Sequence, residues 1–210
     1  MKLVEGMGEF WFRRPEPGAT RASAVEALHA LGFTKAVSIQ HLPGNYDRFE
    51  RAIPLLLSVM RTTREPPVFG ECLAALEVKW VGPEVAVALL ELLRESDSIN
   101  WREHIAHTIG RVPHRHVLEG VYEEAARLEN RWARLTLLLV LAKARDPRTF
   151  ALGLRMLREN TDGAWRANTL EALAATRDPR AKEVAAQFVD DPDVRLRDEA
   201  RRILKLPRKK

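Results

Sequence analysis

Hydrophobic residues recur along this chain at helical spacing, and the spacing itself recurs. Five segments carry the pattern: FGECLAAL from Phe69, WREHIAHTIG from Trp101, ARLTLLLVLA from Ala133, WRANTLEALA from Trp165 and LRDEARRIL from Leu196. Their first residues lie 32, 32, 32 and 31 positions apart. The fifth position is Leu73, Ile105, Leu137, Thr169 and Ala200, and the ninth is Ile109, Leu141, Leu173 and Leu204 in the last four. Positions one, five and nine share one face of a helix, so each segment predicts an amphipathic helix with the same buried edge. Between these helices Gly82-Pro83, Val112-Pro113, Asp146-Pro147 and Asp178-Pro179 each open another apolar-periodic run. Proline suits a first helical turn, and Asp146 and Asp178 are suited to cap it. The unit is therefore helix, turn, helix in about 32 residues.

The earliest pair, Tyr46 to Thr62 and Pro67 to Lys79, departs from the pattern. Gly70 stands where later units have arginine, and Pro54 falls inside the first helix, where a kink is expected. Residues 1–45 do not join the repeat. They predict a short strand over Gly8–Arg13, a helix over Thr20–Phe33 and a second strand over Lys35–His41. The resulting organisation is an α/β N-terminal cap (1–45) followed by a repeat array with a basic tail (46–210). The first strand, bearing Phe10, Trp11 and Phe12, also offers an edge that another chain can join.

The Asp-Pro turn, together with the apolar-Arg pair that opens the second helix, as in "DPR…AWRANTLEALAATRDPR" (Asp146 to Arg180), resembles the HEAT repeat, particularly the short bacterial form also seen in phycobilin-lyase relatives. The resemblance covers roughly residues 46 to 207 and implies an all-α fold, a right-handed HEAT-like α-solenoid of about five helix pairs. In such arrays each unit buries its face against its neighbours, and an atypical end unit covers the exposed face. The resemblance also implies a concave surface lined by the second helices. Here those positions read Glu71, Glu103, His104, His107, Thr136, Asn168, Glu171, Asp198 and Arg202, a mixed and slightly acidic groove suited to a protein or peptide with hydrogen-bonding and basic groups.

Charge adds a second surface. The chain holds 34 Lys and Arg against 29 Asp and Glu, a net charge of +5, with the two signs largely interspersed. One arginine column, Arg102, Arg134, Arg166 and Arg197, is expected to form a ladder pairing with the turn aspartates. Another basic column, Lys79, Arg111, Arg145, Arg177 and Lys205, falls at the C-terminal ends of second helices. There cations complement the helix dipole, and in a row they form a ridge that can follow a phosphate backbone. A single cysteine, Cys72, excludes an internal disulfide and fits a reducing, cytoplasmic setting. The longest apolar run, Leu135 to Ala142, is far shorter than a membrane span, and no membrane role is expected.

Four of the six histidines fall within residues 104–116. His104 and His107, at i and i+3, can share a metal, but a competent site needs three or four ligands. HEAT-like deoxyhypusine hydroxylase repeats a His-Glu pair across several units; here the order is Glu103-His104 and no other unit repeats it. Trp132, with Arg131 and Arg134, has the residue types that HEAT-like alkylpurine DNA glycosylases use, without an acidic partner in a matching place. No catalytic set, metal site or cofactor site is expected. The leading expectation is a non-enzymatic protein–protein interaction module of adaptor, scaffold, inhibitor or immunity type. The alternatives are a nucleic-acid binder using the basic ridge, with glycosylase-like chemistry, and a metal-dependent enzyme at His104 and His107.

Overall fold

A computed structural model describes residues 18–78 and 80–205. The protein is all-helical, with twelve α-helices and no strand among the described residues. None of these helices is long and apolar enough to cross a membrane. The chain divides into two compact units, Met1–His114 and Arg115–Lys210.

The first unit contains α1 (Arg21–Ala30), the single turn α2 (Leu42–Asn45), α3 (Ile53–Thr62), α4 (Pro66–Leu76), α5 (Pro83–Glu95) and α6 (Ile99–Ile109). Within it α3 packs on α4, α5 on α6, and the two second helices α4 and α6 on one another. The second unit contains α7 (Leu118–Arg127), α8 (Arg131–Ala144), α9 (Thr149–Glu159), α10 (Gly163–Ala175), α11 (Arg180–Ala186) and α12 (Val194–Ile203). Its second helices α8, α10 and α12 pack successively, each also against its own first helix.

The repeating apolar edge is the core of both units. Phe69, Leu73, Ile105, Ile109, Ala133, Leu137, Leu141, Trp165, Leu173, Leu196 and Ala200 are all buried. Each large side chain among them contributes about 1.5–3 kcal/mol through loss of water contact. Thr169 occupies a core position without cost because its hydroxyl donates to the Trp165 carbonyl at 2.9 Å. Four of the five second helices, all but α4, also share an N-terminal cap. Ser98, Asn130, Asp162 and Asp193 each accept a backbone N–H from the first turn, at 3.4, 3.0, 2.8 and 2.9 Å. Such a cap is worth about 1 kcal/mol.

The Asp-Pro-Arg turns close on themselves. Asp146 accepts from the Arg148 backbone at 2.9 Å and from its guanidinium at 3.0 and 2.8 Å. Asp178 holds Arg180 the same way, at 2.9, 2.9 and 2.6 Å. The two guanidinium groups then lie over the rings of Tyr122 and Phe150, 4.3 and 4.2 Å from their centroids. These aspartates therefore serve their own turns, and the arginine column finds other partners. Arg134 bonds the Ala125 carbonyl and Glu159, both at 3.0 Å, Arg166 faces Asp191 at 3.6 Å, and Arg197 bonds the Asp191 carbonyl at 3.0 Å.

Two expectations for the N-terminal third change. Lys35–His41 is a loop ending in a 3₁₀ turn, Ile39–His41, not a strand. Its fully buried residues Ala36 and Ile39, with Leu42 just beyond, are spaced three positions apart, the spacing of a tight helical turn. Pro54 does not kink a helix; it sits in the first turn of α3, where its missing N–H is not needed. The strand expected over Gly8–Arg13 lies outside the described residues, as do Lys79 and the tail beyond Lys205.

Candidate functional site

A groove of about 490 Å³ runs between α4 and α6 in the first unit. Its floor is aromatic and aliphatic: Phe69 and Trp101 stack face to face, centroids 4.3 Å apart and planes 7° from parallel, with Leu73 alongside. Its open side is made by what α4 lacks. Gly70 and Ala74 line it, and a Cβ built at Gly70 would meet nothing within 4 Å. In the second unit the corresponding positions hold Arg134 and Leu138, then Arg166 and Leu170.

The bridge that the absent arginine would make is supplied from elsewhere. Arg134 reaches Glu159, 25 residues on, at the end of the next first helix. Glu95 stands 25 residues after Gly70, and Arg61 of α3 pairs with it at 3.5 Å and with Glu91 at 3.2 Å. The cation has moved to a first helix, the link between consecutive pairs is kept, and the groove stays clear.

The polar end of the groove centres on Glu77. Its carboxylate accepts from Arg111 at 2.7 Å and from the buried Thr108 hydroxyl at 3.1 Å, and the His107 ring lies 3.7 Å away. Asn100, Ser98 and His104 complete the rim. Cys72 of α4 is fully buried, and burial, with the neighbouring Glu71 charge, pushes its thiol up to about 12. A protonated, enclosed thiol has no nucleophilic use.

Of the residues singled out in the sequence for a binding groove, His104 and His107 line this one. Glu71 is turned to α1 and ion-pairs with Arg21, and Glu103 lies off the lining. The other five lie in the second unit, the half-buried Asp198 among them. Thr136 and Asn168 are half-buried, and Glu171 approaches Arg202 at 3.9 Å, while Arg202 is held by Glu199 at 2.7 Å.

The basic column has a conformational role at its C-terminal members. Arg145, Arg177 and Lys205 adopt left-handed backbone, φ 59°, 62° and 57°, and end α8, α10 and α12. Arg145 and Asp146 donate to Ala142 and Leu141 at 3.0 Å each, which satisfies carbonyls left over at the helix end. Arg111 is committed to Glu77. Among the described residues no group of three His, Cys, Asp or Glu side chains is placed to hold a metal ion.

Gly70, Ala74, Phe69, Trp101 and Glu77 are the site residues that sequence reading does not single out. Trp101 reads as a packing residue, which it is through Phe69, yet it also lines the groove. The break in the arginine column at Gly70 is the one sequence signal that points to this place. Comparison of the chain with protein-family models, curated proteins and solved structures found no match.

Proposed function

We propose that the five helix pairs are HEAT-like α-solenoid repeats, two in the first unit and three in the second, and that the protein is a non-enzymatic binding module. Its ligand is a segment of a protein, received in the α4/α6 groove, as in an adaptor, scaffold or inhibitor of immunity type. One observation carries this reading: the groove has an aromatic floor and a polar rim, and it is open because Gly70 replaces the arginine of the other repeats. Concave, mostly apolar sites with a few convergent polar groups are where proteins hold ligands. The opening is kept although glycine inside a helix costs about 1 kcal/mol relative to alanine.

The test is capture from cell extract by the tagged protein and by a Gly70→Trp variant, with and without nuclease. A stoichiometric protein that survives nuclease and is lost with Gly70→Trp, at unchanged helical signal, supports the reading. Capture unaffected by Gly70→Trp removes the groove from it. Recovery of nucleic acid, with proteins that vanish on nuclease treatment, transfers the function to the basic column at Arg111, Arg145 and Arg177.

A further inference from the structure

We infer that the C-terminal ends of α8, α10 and α12 form a second binding surface, on which Arg145, Arg177 and Lys205 hold the phosphate backbone of a nucleic-acid duplex. The surface lies in the second unit and goes beyond the reading of the α4/α6 groove, on which it does not depend.

Placement comes from the helix contacts. The starts of the three helices adjoin. The Trp165 indole of α10 donates to the Arg131 carbonyl of α8 at 3.3 Å, and a Cβ at Gly163 of α10 would meet the Asp193 carboxylate that caps α12. Toward the other end, Arg202 of α12 approaches Glu171 of α10 at 3.9 Å. The helices therefore run side by side in one direction, and their last residues emerge in a row. Arg145 and Arg177 stand at the same distance from the first core positions of their helices, Ala133 and Trp165. Lys205 ends a helix about one turn shorter, roughly 5 Å back, a gap its flexible stem spans.

Charge is the second support. All three residues are exposed, and none has an acidic partner among the described residues. The acids beside them are already taken, Asp146 by Arg148 at 2.8 Å and Asp178 by Arg180 at 2.6 Å. Folding alone does not account for the cations. Glycine is the residue that left-handed backbone favours at a helix end, and for a side chain that backbone costs about twice what a cation gains from the helix dipole. Yet the chain places a cation there three times.

Spacing selects the partner. Packed helices lie about 8–10 Å apart, and three phosphates along one strand of a duplex advance roughly 10 Å along its axis. A row of cations at that interval matches a polymer of regular charge better than an acidic protein, whose carboxylates follow no fixed period. Nor does the edge suit a bilayer. The exposed large apolar side chains described in the second unit, Trp132 and Val194, stand at the opposite ends of α8 and α12, where they cannot carry this edge into lipid.

The experiment titrates the full chain into fluorescein-labelled short duplexes, one of DNA and one of RNA, and follows anisotropy between about 50 and 200 mM salt. Three neutralised phosphates contribute about −2.7 to the slope of log K against log salt, a roughly 40-fold loss of affinity over that range. The triple variant Arg145→Gly, Arg177→Gly and Lys205→Gly removes the charges and suits the left-handed ends. It should bind about tenfold more weakly or worse at the lowest salt, with a slope shallower by about 2.7. Asparagine at the same three positions, also at home in left-handed backbone, gives the same test should the glycine chain not fold. Gly70→Trp and the charge-retaining pair Arg145→Lys and Arg177→Lys should bind as wild type. Failure to bind either duplex, a slope that removal of the three charges leaves unchanged, or loss of binding in Gly70→Trp overturns the inference. So does equal competition by polyglutamate, which assigns the edge to an acidic protein. Equal binding to phosphatidylserine-rich vesicles, lost in the triple variant, overturns it in favour of a membrane surface.

Discussion

Two helical glycines make opposite predictions for the same substitution. Gly70 lies in the interior of α4 with an ordinary helical backbone, and the space around a new Cβ is empty to 4 Å. Replacing it by alanine lowers the entropy of the unfolded chain and meets no obstacle, so stability should rise by about 0.5–1 kcal/mol. Gly153 lies in α9, where a new Cβ would come within 2.5 Å of the Leu173 Cδ2 and 3.1 Å of its Cγ. Leu173 is fully buried and cannot swing aside, so overpacking should cost about 1–3 kcal/mol and outweigh the propensity gain. In a protein of this size 1 kcal/mol corresponds to a shift of about 2–4 °C in Tm. Circular dichroism melts and urea titrations of Gly70→Ala and Gly153→Ala read both values. The reasoning is refuted if Gly70→Ala lowers the midpoint, because the open groove wall would then not exist, or if both substitutions move stability in the same direction.

Other outcomes follow from particular side chains. The Arg148 guanidinium holds the Asp146 carboxyl below its ordinary range. A depressed carboxyl stabilises the fold above its unfolded value, near 3.9, and that contribution is lost as pH falls through the lower folded value. Urea midpoints of Asp146→Asn should therefore fall short of wild type at pH 6 and converge with it toward pH 2. Cys72, with its thiol pushed up to about 12, should resist a thiol reagent at pH 8 in the native protein and react at once in denaturant. Arg145 is left-handed, so Arg145→Val should destabilise by about 1–2 kcal/mol while Arg145→Gly is tolerated; thermal melts of the two variants separate that conformational demand from loss of charge.

The repeating helices were legible because three forces agreed on them: apolar spacing, a fixed 32-residue period and proline at each turn. The shared cap was not read from the sequence, although Ser98, Asn130, Asp162 and Asp193 recur on the same period, three residues before each helix's first core position. Lys35–His41 misled because a short apolar stretch fits a strand and a tight helical turn equally well until burial shows which residues point inward. The groove was half legible. His104 and His107 were expected on the concave surface that the resemblance implies, and both line the α4/α6 groove. That Glu71 would be taken up by Arg21, 50 residues away, and Glu77 by Arg111, 34 away, is tertiary information that periodicity does not contain. Left-handed backbone at Arg145, Arg177 and Lys205 is hidden for another reason: glycine is the usual residue there, and the chain uses long cations instead.

Arg61 has an implication for how the protein can diversify. In most of a repeat protein a side chain on the binding surface is also a contact between neighbours, so altering one function disturbs the other. Here the ion pair to Glu95 originates on α3, and a Cβ added at position 70 of α4 meets nothing within 4 Å. If the groove is the binding surface proposed above, positions 70 and 74, which line it, can be varied by mutation in nature or by a saturation library at the bench to change what it prefers. A comparable freedom is latent in the second unit, where Glu159 already has a second cation, Arg155 at 3.5 Å, should Arg134 be replaced by a smaller residue.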